Sequence, residues 1–307
     1  MMNTATAPRV RPNISTFRRA LWHVNRTDLG WVVKGVLSAL NSTTLAARRR
    51  QAETLPTSPA LAAAAVHLRE FGFADVTAVM SRALAEAVAR HAGEKIARAE
   101  ALVAKQQLGH KAFWVSLLDE DLDAGAFPSD HPFVRFALQP EALRILADHM
   151  GILPQLSDVL LTLSRPTAEG ASLSYSQLWH LDHDDKTVCK LFIYLSDVET
   201  DDDGPFTFMD AKASAPFRNR VKSHLTDEVV LGVTGPGAPR KMIAPKLTCF
   251  IVDTAHCLHM GSRIRPGHQR LLYTATFFPP PRIYPEPPPR FFARGPLSPI
   301  ERAVLAV

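Results

Sequence analysis

Residues 177–198 read QLWHLDHDDKTVCKLFIYLSDV. From Thr187 onward the run is apolar on both faces, which marks a β-strand covered on two sides. Its one mid-run charge is Lys190, on the face shared by Phe192 and Tyr194. Before that strand the pattern His-x-Asp occurs twice, as His180–Leu181–Asp182 and as His183–Asp184–Asp185. Residues i and i+2 of a strand point the same way, so either pair at a strand end aims an imidazole and a carboxylate at one point.

Working outward, LSDVLLTLS (156–164) alternates, with Val159, Leu161 and Leu163 on one face. KLTCFIVDT (246–254) and RLLYTATFF (270–278) complete the strand set, separated by turns rich in Gly and Pro. Upstream the period changes. Residues 60–108 are rich in Ala, Glu, Arg and Leu, and predict helices broken at Gly72 and Gly93. A further helix is predicted over 140–149, opened by Pro140 and closed by Gly151. Helices first and strands after predict a mainly β protein with a helical N-terminal part, an α+β chain whose antiparallel core is buttressed by helices. PPPRIYPEPPPR (279–290) is too rich in proline for either element and is expected to run extended over the surface.

A His-x-Asp pair alone is weak evidence; a third ligand gives it meaning. Two histidines and one carboxylate on one face of an octahedron leave three positions open, as in non-haem Fe(II) oxygenases. The stretch CFIVDTAHCLHMGSRIRPGHQRLLYTATF (249–277) offers His256 and His259. Arg270 follows at the start of the next strand, where its guanidinium could hold the far carboxylate of a dicarboxylate chelating the metal. Arg263 is the rival for that carboxylate. Lys190 either pairs with an acid or binds a carboxylate of cosubstrate or substrate. Gln177 points into the site if strand alternation holds through Asp182.

In that order, the WHLDHDD stretch, the strand CKLFIYLSDV, the turn Gly204–Pro205–Phe206 and the distal His-Met-Gly-Ser-Arg segment followed by Arg270 resemble the phytanoyl-CoA dioxygenase family of Fe(II)/2-oxoglutarate oxygenases. HPFVRFALQPEALRILADHMG (131–151) is similar to the helical lead-in of its bacterial members, and the likeness runs from about residue 60 to 280. The resemblance implies a double-stranded β-helix, the jelly roll of the cupins. It places the metal on His180, Asp182 and His259 and the 2-oxoglutarate anchor on Arg270. Lys190 and Gln177 are then candidates for cofactor binding, and His183 and Asp185 sit behind the ligands or face the substrate. The implied reaction consumes O2 and 2-oxoglutarate, releases succinate and CO2, and by default hydroxylates a small-molecule or carrier-linked substrate. With Asp182 present, the position that related halogenases leave to chloride is filled. The alternatives are a jelly roll that binds metal or ligand without turnover, and a metal-dependent hydrolase.

Charge divides the chain. Residues 1–50 hold eight arginines, Lys34 and a single acid, Asp28, for a net +8, whereas the whole chain is +5 and the remainder therefore acidic. This is expected of a basic, helical N-terminal extension (1–55), an oxygenase domain (56–285, with helices over 60–150 and the jelly roll over 155–280) and a Pro-rich tail (286–307). The apolar residues from Leu29 to Leu40 predict one helix ending at Arg48–Arg49–Arg50. Such an extension leaves open a peripheral membrane or protein contact; an acidic body gives no expectation of nucleic acid. Three cysteines without CxxC spacing argue against disulfides and structural zinc. With no apolar leader or spanning segment in view, a cytoplasmic location is expected.

Overall fold

The computed structural model describes residues 21, 23–97, 113–118, 122, 125–167, 172–218, 223–283 and 290–307. In chain order its helices are α1 (Leu29–Leu40), α2 (Ser42–Glu53), α3 (Pro59–Phe71), α4 (Arg82–Ile96), α5 (Pro132–Ala137), α6 (Pro140–Met150), α7 (Asp227–Thr234) and α8 (Pro299–Leu305). The strands are β1 (Phe73–Asp75), β2 (Trp114–Ser116), β3 (Phe127–Pro128), β4 (Gln155–Ser164), β5 (Trp179–His180), β6 (Cys189–Tyr194), β7 (Thr207–Phe208), β8 (His224–Leu225), β9 (Arg240–Lys241), β10 (Cys249–Asp253), β11 (His259–Met260), β12 (Arg270–Phe278) and β13 (Phe291–Phe292).

A six-stranded sheet, β1-β10-β6-β12-β4-β2, faces a five-stranded one, β8-β5-β11-β7-β9. The long strands explain why their sequences are apolar on both faces. Cys189, Leu191 and Ile193 of β6, with Val159, Leu161, Leu163, Leu271, Tyr273 and Ala275, pack against α3 to α6 in the main core. The alternate residues Phe192, Tyr194, Phe250, Val252 and Leu272 meet Phe206 and Phe208 between the sheets. Further along the same inner face the apolar filling gives way to Asp158, Thr162, Ser164, Lys190, Arg270, Thr274 and Thr276. The sandwich is thus closed by aromatic packing on one side and holds a polar cavity on the other.

The helices follow their predicted punctuation. Gly72 and Gly151 end α3 and α6 in the left-handed region, at φ 74° and 71°. Gly93 does not break α4, which runs through it to Ile96. The single N-terminal helix expected over 29–50 is instead two, parted at Asn41.

Two basic residues of the N-terminal segment are used internally rather than presented to solvent. Arg48 donates to the carbonyls of Leu153, Pro154 and Ala303. Lys34 donates to both carboxylate oxygens of Asp185, at 2.9 and 3.0 Å, and to the carbonyls of Pro279 and Pro281. Lys186 reaches back to the carbonyls of Asn25 and Thr27, and α1 approaches it so closely that a Cβ at Gly30 would stand 2.4 Å from Lys186 Cε. The outer face of α1 leaves Leu29, Val32, Val36 and Leu40 exposed.

Of the stretch 279–290 expected to run extended, residues 284–289 lie outside the described residues. After it, Phe291–Phe292 pairs in parallel with Phe127–Pro128, and α8, capped by Ser298 and Glu301, buries Val304 and Leu305 in the main core. These apolar residues return the chain to the body.

Because the Asp185 side chain is wholly buried, removing its ammonium partner strands a carboxylate. Lys34→Met is expected to cost about 3–5 kcal/mol, read from urea unfolding. Adding Asp185→Asn should restore part of that loss, and an equal deficit in both variants would count against the ion pair as the cause.

Candidate active site

Three potential ligand atoms converge on the inner face of the smaller sheet. His180 of β5 lies directly opposite His259 of β11 in the antiparallel register, and their ring centroids are 4.2 Å apart. Asp182 follows two residues after His180, its backbone N–H held by the Thr254 carbonyl at 2.9 Å. One ligand atom from each of His180, Asp182 and His259 lies within 4.8 Å of the other two. His259 Nε2 and Asp182 Oδ2 are 3.9 Å apart.

The tautomers are set by the backbone. His180 Nδ1–H donates to the Leu178 carbonyl at 2.8 Å and His259 Nδ1–H to the Cys257 carbonyl at 2.9 Å. Each ring therefore turns an Nε2 lone pair toward the cluster, the arrangement that outer hydrogen bonds impose on metal-binding histidines. Burial lowers the pKa of His180, and burial together with the neighbouring His180 ring brings His259 down to about 3. Both imidazoles are neutral at pH 7. Burial alone would raise the Asp182 pKa, but the Lys190 ammonium and the two imidazoles outweigh it and hold the carboxyl well below the usual range. Asp182 Oδ2 is buried, with Lys190 Nζ 2.7 Å from it as an ion-pair partner. Two neutral nitrogens and an ammonium-held carboxylate form a donor set suited to a hard or borderline divalent cation.

Arg270 is 2% exposed. Its guanidinium donates to the Gly204 carbonyl and, at 3.3 Å, to Ser262 Oγ, while its Nε is buried without a partner. Gly204 reaches this position at φ 62°, and a Cβ there would stand 2.5 Å from Ile264 Cδ1, so the turn requires glycine. Among the described residues no carboxylate pairs with Arg270, and burial pulls its pKa down without discharging it. His180, His259, Lys190 and Arg270 all line one cavity of about 520 Å³. A buried cation with no acid among the described residues, lining the same cavity as His180 and His259 of the cluster, fits an anionic ligand that reaches both.

The rival residues lie elsewhere. His256 Nδ1 bonds to Asp253 Oδ2 at 2.9 Å, an oxygen shared with His149 Nε2 at 2.8 Å. Asp185 anchors Lys34 and does not face the cavity. His183 sits in a small pocket beneath α1 with its carbonyl bonded by Asn25, and burial followed by Arg26 lowers its pKa to about 4. Arg263 holds Asp227 through two nitrogens and the Gln177 carbonyl through Nε, shaping the loop.

Two expected cofactor contacts need correction. Gln177 is fully buried in a 3-10 turn, not a strand, and bonds Thr167 Oγ1, the Ser262 carbonyl and the Ser174 N–H. Three residues before His180, Gln177 has the opposite parity from the ligand pair, and the strand, only two residues long, does not extend to it. Lys190 does face the cavity, but its ammonium is engaged by Asp182.

Sequence reasoning missed Ser262, whose hydroxyl bonds Ser164 Oγ at 2.9 Å beside Arg270, and also Asp158, Asp184 and Arg282 on the cavity wall. A signal for one was present. Asp158 is the only charge in 156–164 and falls on the face opposite Val159, Leu161 and Leu163.

The neutral histidines carry a pH consequence. A histidine whose folded pKa lies below the unfolded value of about 6.5 binds fewer protons when folded. Stability is then lost as pH falls from that value toward the folded one. For His259 and His183 the window runs down to about 3 and about 4, each contributing up to about 1.4 kcal/mol per pH unit. Urea midpoints of metal-free protein should be lower at pH 5 than at pH 7; unchanged midpoints would contradict the buried neutral assignment.

No family model and no curated protein matches the chain. Solved structures do. A crystal structure of EctD from S. alaskensis with 2-oxoglutarate and 5-hydroxyectoine matches at 14% identity and TM-score 0.50, over 73% of this chain and 77% of that one. The shared fold is the double-stranded β-helix. The epimerase SnoN, crystallised with Fe3+, alpha ketoglutarate and nogalamycin RO, matches at 18% identity and TM-score 0.48, over 71% of this chain and 83% of that one. AviO1 from Streptomyces viridochromogenes Tue57 matches at 16% identity and TM-score 0.47, over 76% of this chain and 100% of that one. At these identities the likeness is one of fold, and the site stands on its own geometry. Among the described residues no helix is long and apolar enough to cross a membrane.

Proposed function

We propose that the protein is a non-haem Fe(II)/2-oxoglutarate-dependent oxygenase of the phytanoyl-CoA dioxygenase type, hydroxylating a small-molecule substrate. The observation that carries this reading is the pairing, along one cavity, of His180 and His259, which cluster with Asp182, with a buried Arg270 that has no acid among the described residues. His180 and His259 would hold the metal through Nε2, with Asp182 as the anionic ligand. Arg270 would pair with the distal carboxylate of 2-oxoglutarate, and the Ser262 hydroxyl, held by Ser164, is the second donor. Bound iron, 2-oxoglutarate and O2 supply the oxidising power, with succinate and CO2 released.

The chain's own part is alignment and exclusion of water. Phe206 stacks on His259 with centroids 5.5 Å apart, and Phe192 and Leu272 continue that apolar wall toward Arg270. A carboxylate has two oxygens, so Asp182 can keep Lys190 on one and serve the cation with the other, and the ammonium then fixes its orientation. That the EctD structure contains 2-oxoglutarate supports the reading.

The test is anaerobic titration of metal-free protein with Fe(II) and then 2-oxoglutarate, watching for the visible charge-transfer band of the chelate. A band that needs both ligands is expected. Iron binding without any band on adding 2-oxoglutarate would overturn the assignment.

A further inference from the structure

The inner face of the larger sheet carries two polar regions. Arg270 pairs with Ser164 across β12 and β4 at one end; at the other, Asp158, Thr276 and Lys190 form a row across β4, β12 and β6. The two lie six positions apart on β12, about 20 Å at the usual strand rise. Leu160, Phe192, Leu272 and Thr274 lie between them. A five-carbon dicarboxylate held between Arg270 and the metal cluster would reach no farther than the Asp182–Lys190 pair, which leaves Asp158, Asp184 and Arg282 to the substrate.

The far end is charged and incompletely bonded. Among the described residues, Asp158 Oδ1 and Arg282 Nε are buried without hydrogen-bond partners. The Arg282 guanidinium lies 3.9 Å over the Phe278 ring, and its one side-chain bond is to Ser157 Oγ at 3.3 Å. Asp184 stands exposed among the cavity-lining residues. Two acids, Asp158 and Asp184, face Arg282 and Lys190, and Asp182 already engages the Lys190 ammonium, so the wall is acidic on balance. A fatty-acyl chain laid against it would leave these groups buried and unbonded, and a polyphosphate-bearing thioester would meet more acid than free base.

Resting on the oxygenase reading above, we infer that the substrate is a small hydroxyl- and amine-bearing molecule, an amino sugar or aminocyclitol in type, and not an acyl thioester. Its O–H and N–H groups donate to Asp158 and Asp184, and a hydroxyl or ring oxygen accepts from Arg282. The aromatic face of Phe278, already covered by Arg282, adds an apolar edge.

Calorimetric titration of full-length protein loaded with Ni(II) and 2-oxoglutarate tests this, using glucosamine and 2-deoxystreptamine as probes against decanoyl-CoA. At least one amino polyol should bind at millimolar concentration and decanoyl-CoA should not. Asp158→Asn, isosteric, and Asp184→Asn, at an exposed position, should each weaken that binding by about tenfold or more while leaving 2-oxoglutarate affinity within about twofold. Binding of decanoyl-CoA but neither polyol, binding of no probe, or polyol binding indifferent to both variants would overturn the inference. Failure of the wild type to bind 2-oxoglutarate would instead strike the oxygenase reading.

Discussion

His259→Ala is expected to abolish the Fe(II)–2-oxoglutarate band, while His256→Ala keeps it. Two residues separate these histidines, and in sequence both stand where a distal ligand could. Their surroundings differ in kind. His259 sits in β11 opposite His180, with Nδ1 committed to a backbone carbonyl and Nε2 facing Asp182. His256 is committed through Nδ1 to Asp253, on the oxygen that also receives His149. Loss of an outer hydrogen-bond partner of a metal ligand typically costs about 10–100-fold in affinity. Loss of the ligand itself should exceed that, leaving two donors on a cavity wall. The His256 variant should instead lose about 1–2 kcal/mol of stability, because Asp253 keeps only His149. Equilibrium Fe(II) binding together with urea unfolding separates the two effects. A band that survives His259→Ala and vanishes with His256→Ala would move the metal to the other side of the sheet and sink the assignment.

The long strands that carry Lys190 and Arg270 were legible because burial on both faces leaves an unbroken apolar record, and the one lysine in β6 marked the inward face; β5 and β11, which carry His180 and His259, are two residues long and left none. The ligand pair was legible as a pattern but not as a choice. Distinguishing His180–Asp182 from His183–Asp185 depends on Lys34, which lies 151 residues from Asp185 in the chain and claims it across the fold. No local spacing encodes that contact. Gln177 was misread because an odd offset of three from His180 sets it off the ligand face, and a 3-10 turn, not the two-residue β5, holds it. Arg48 and Lys34 were read as part of a basic extension because charge in sequence says nothing of which backbone carbonyls will stand nearby. The C-terminal helix was hidden by the prolines before it, although Ser298 and Glu301 spell a capping box at its start.

Arg270→Met is expected to raise the stability of the ligand-free protein and to erase its response to 2-oxoglutarate. A guanidinium that is 2% exposed has given up nearly all its water. In return it has one carbonyl, the Ser262 hydroxyl at 3.3 Å, the Tyr194 hydroxyl and a buried Nε without a partner, with no acid among the described residues. An apolar side chain of similar volume removes that desolvation cost, and such replacements of buried charge are neutral or stabilising by about 1–4 kcal/mol. The same change removes the counter-charge for a dicarboxylate. Truncating one partner of a buried charge pair costs about 2–5 kcal/mol of binding, tens to thousands of fold in affinity. In the wild type, 2-oxoglutarate at about one hundred times its dissociation constant should add about 2.7 kcal/mol, visible as a rise in Tm in the presence of Ni(II). The variant should start higher and not move. Arg263→Met is the control: that arginine is bonded to Asp227 and to the Gln177 carbonyl, so its loss should lower Tm and leave the ligand-induced rise in place. If Arg270→Met instead lowered Tm and the rise persisted, Arg270 would be a structural cation bridging Gly204 and Ser262, and the carboxylate would have to be held elsewhere in the cavity. A protein that keeps an unpaired buried charge at a cost to its own stability needs a reason found outside the folded chain, and an anion that arrives with the metal supplies one.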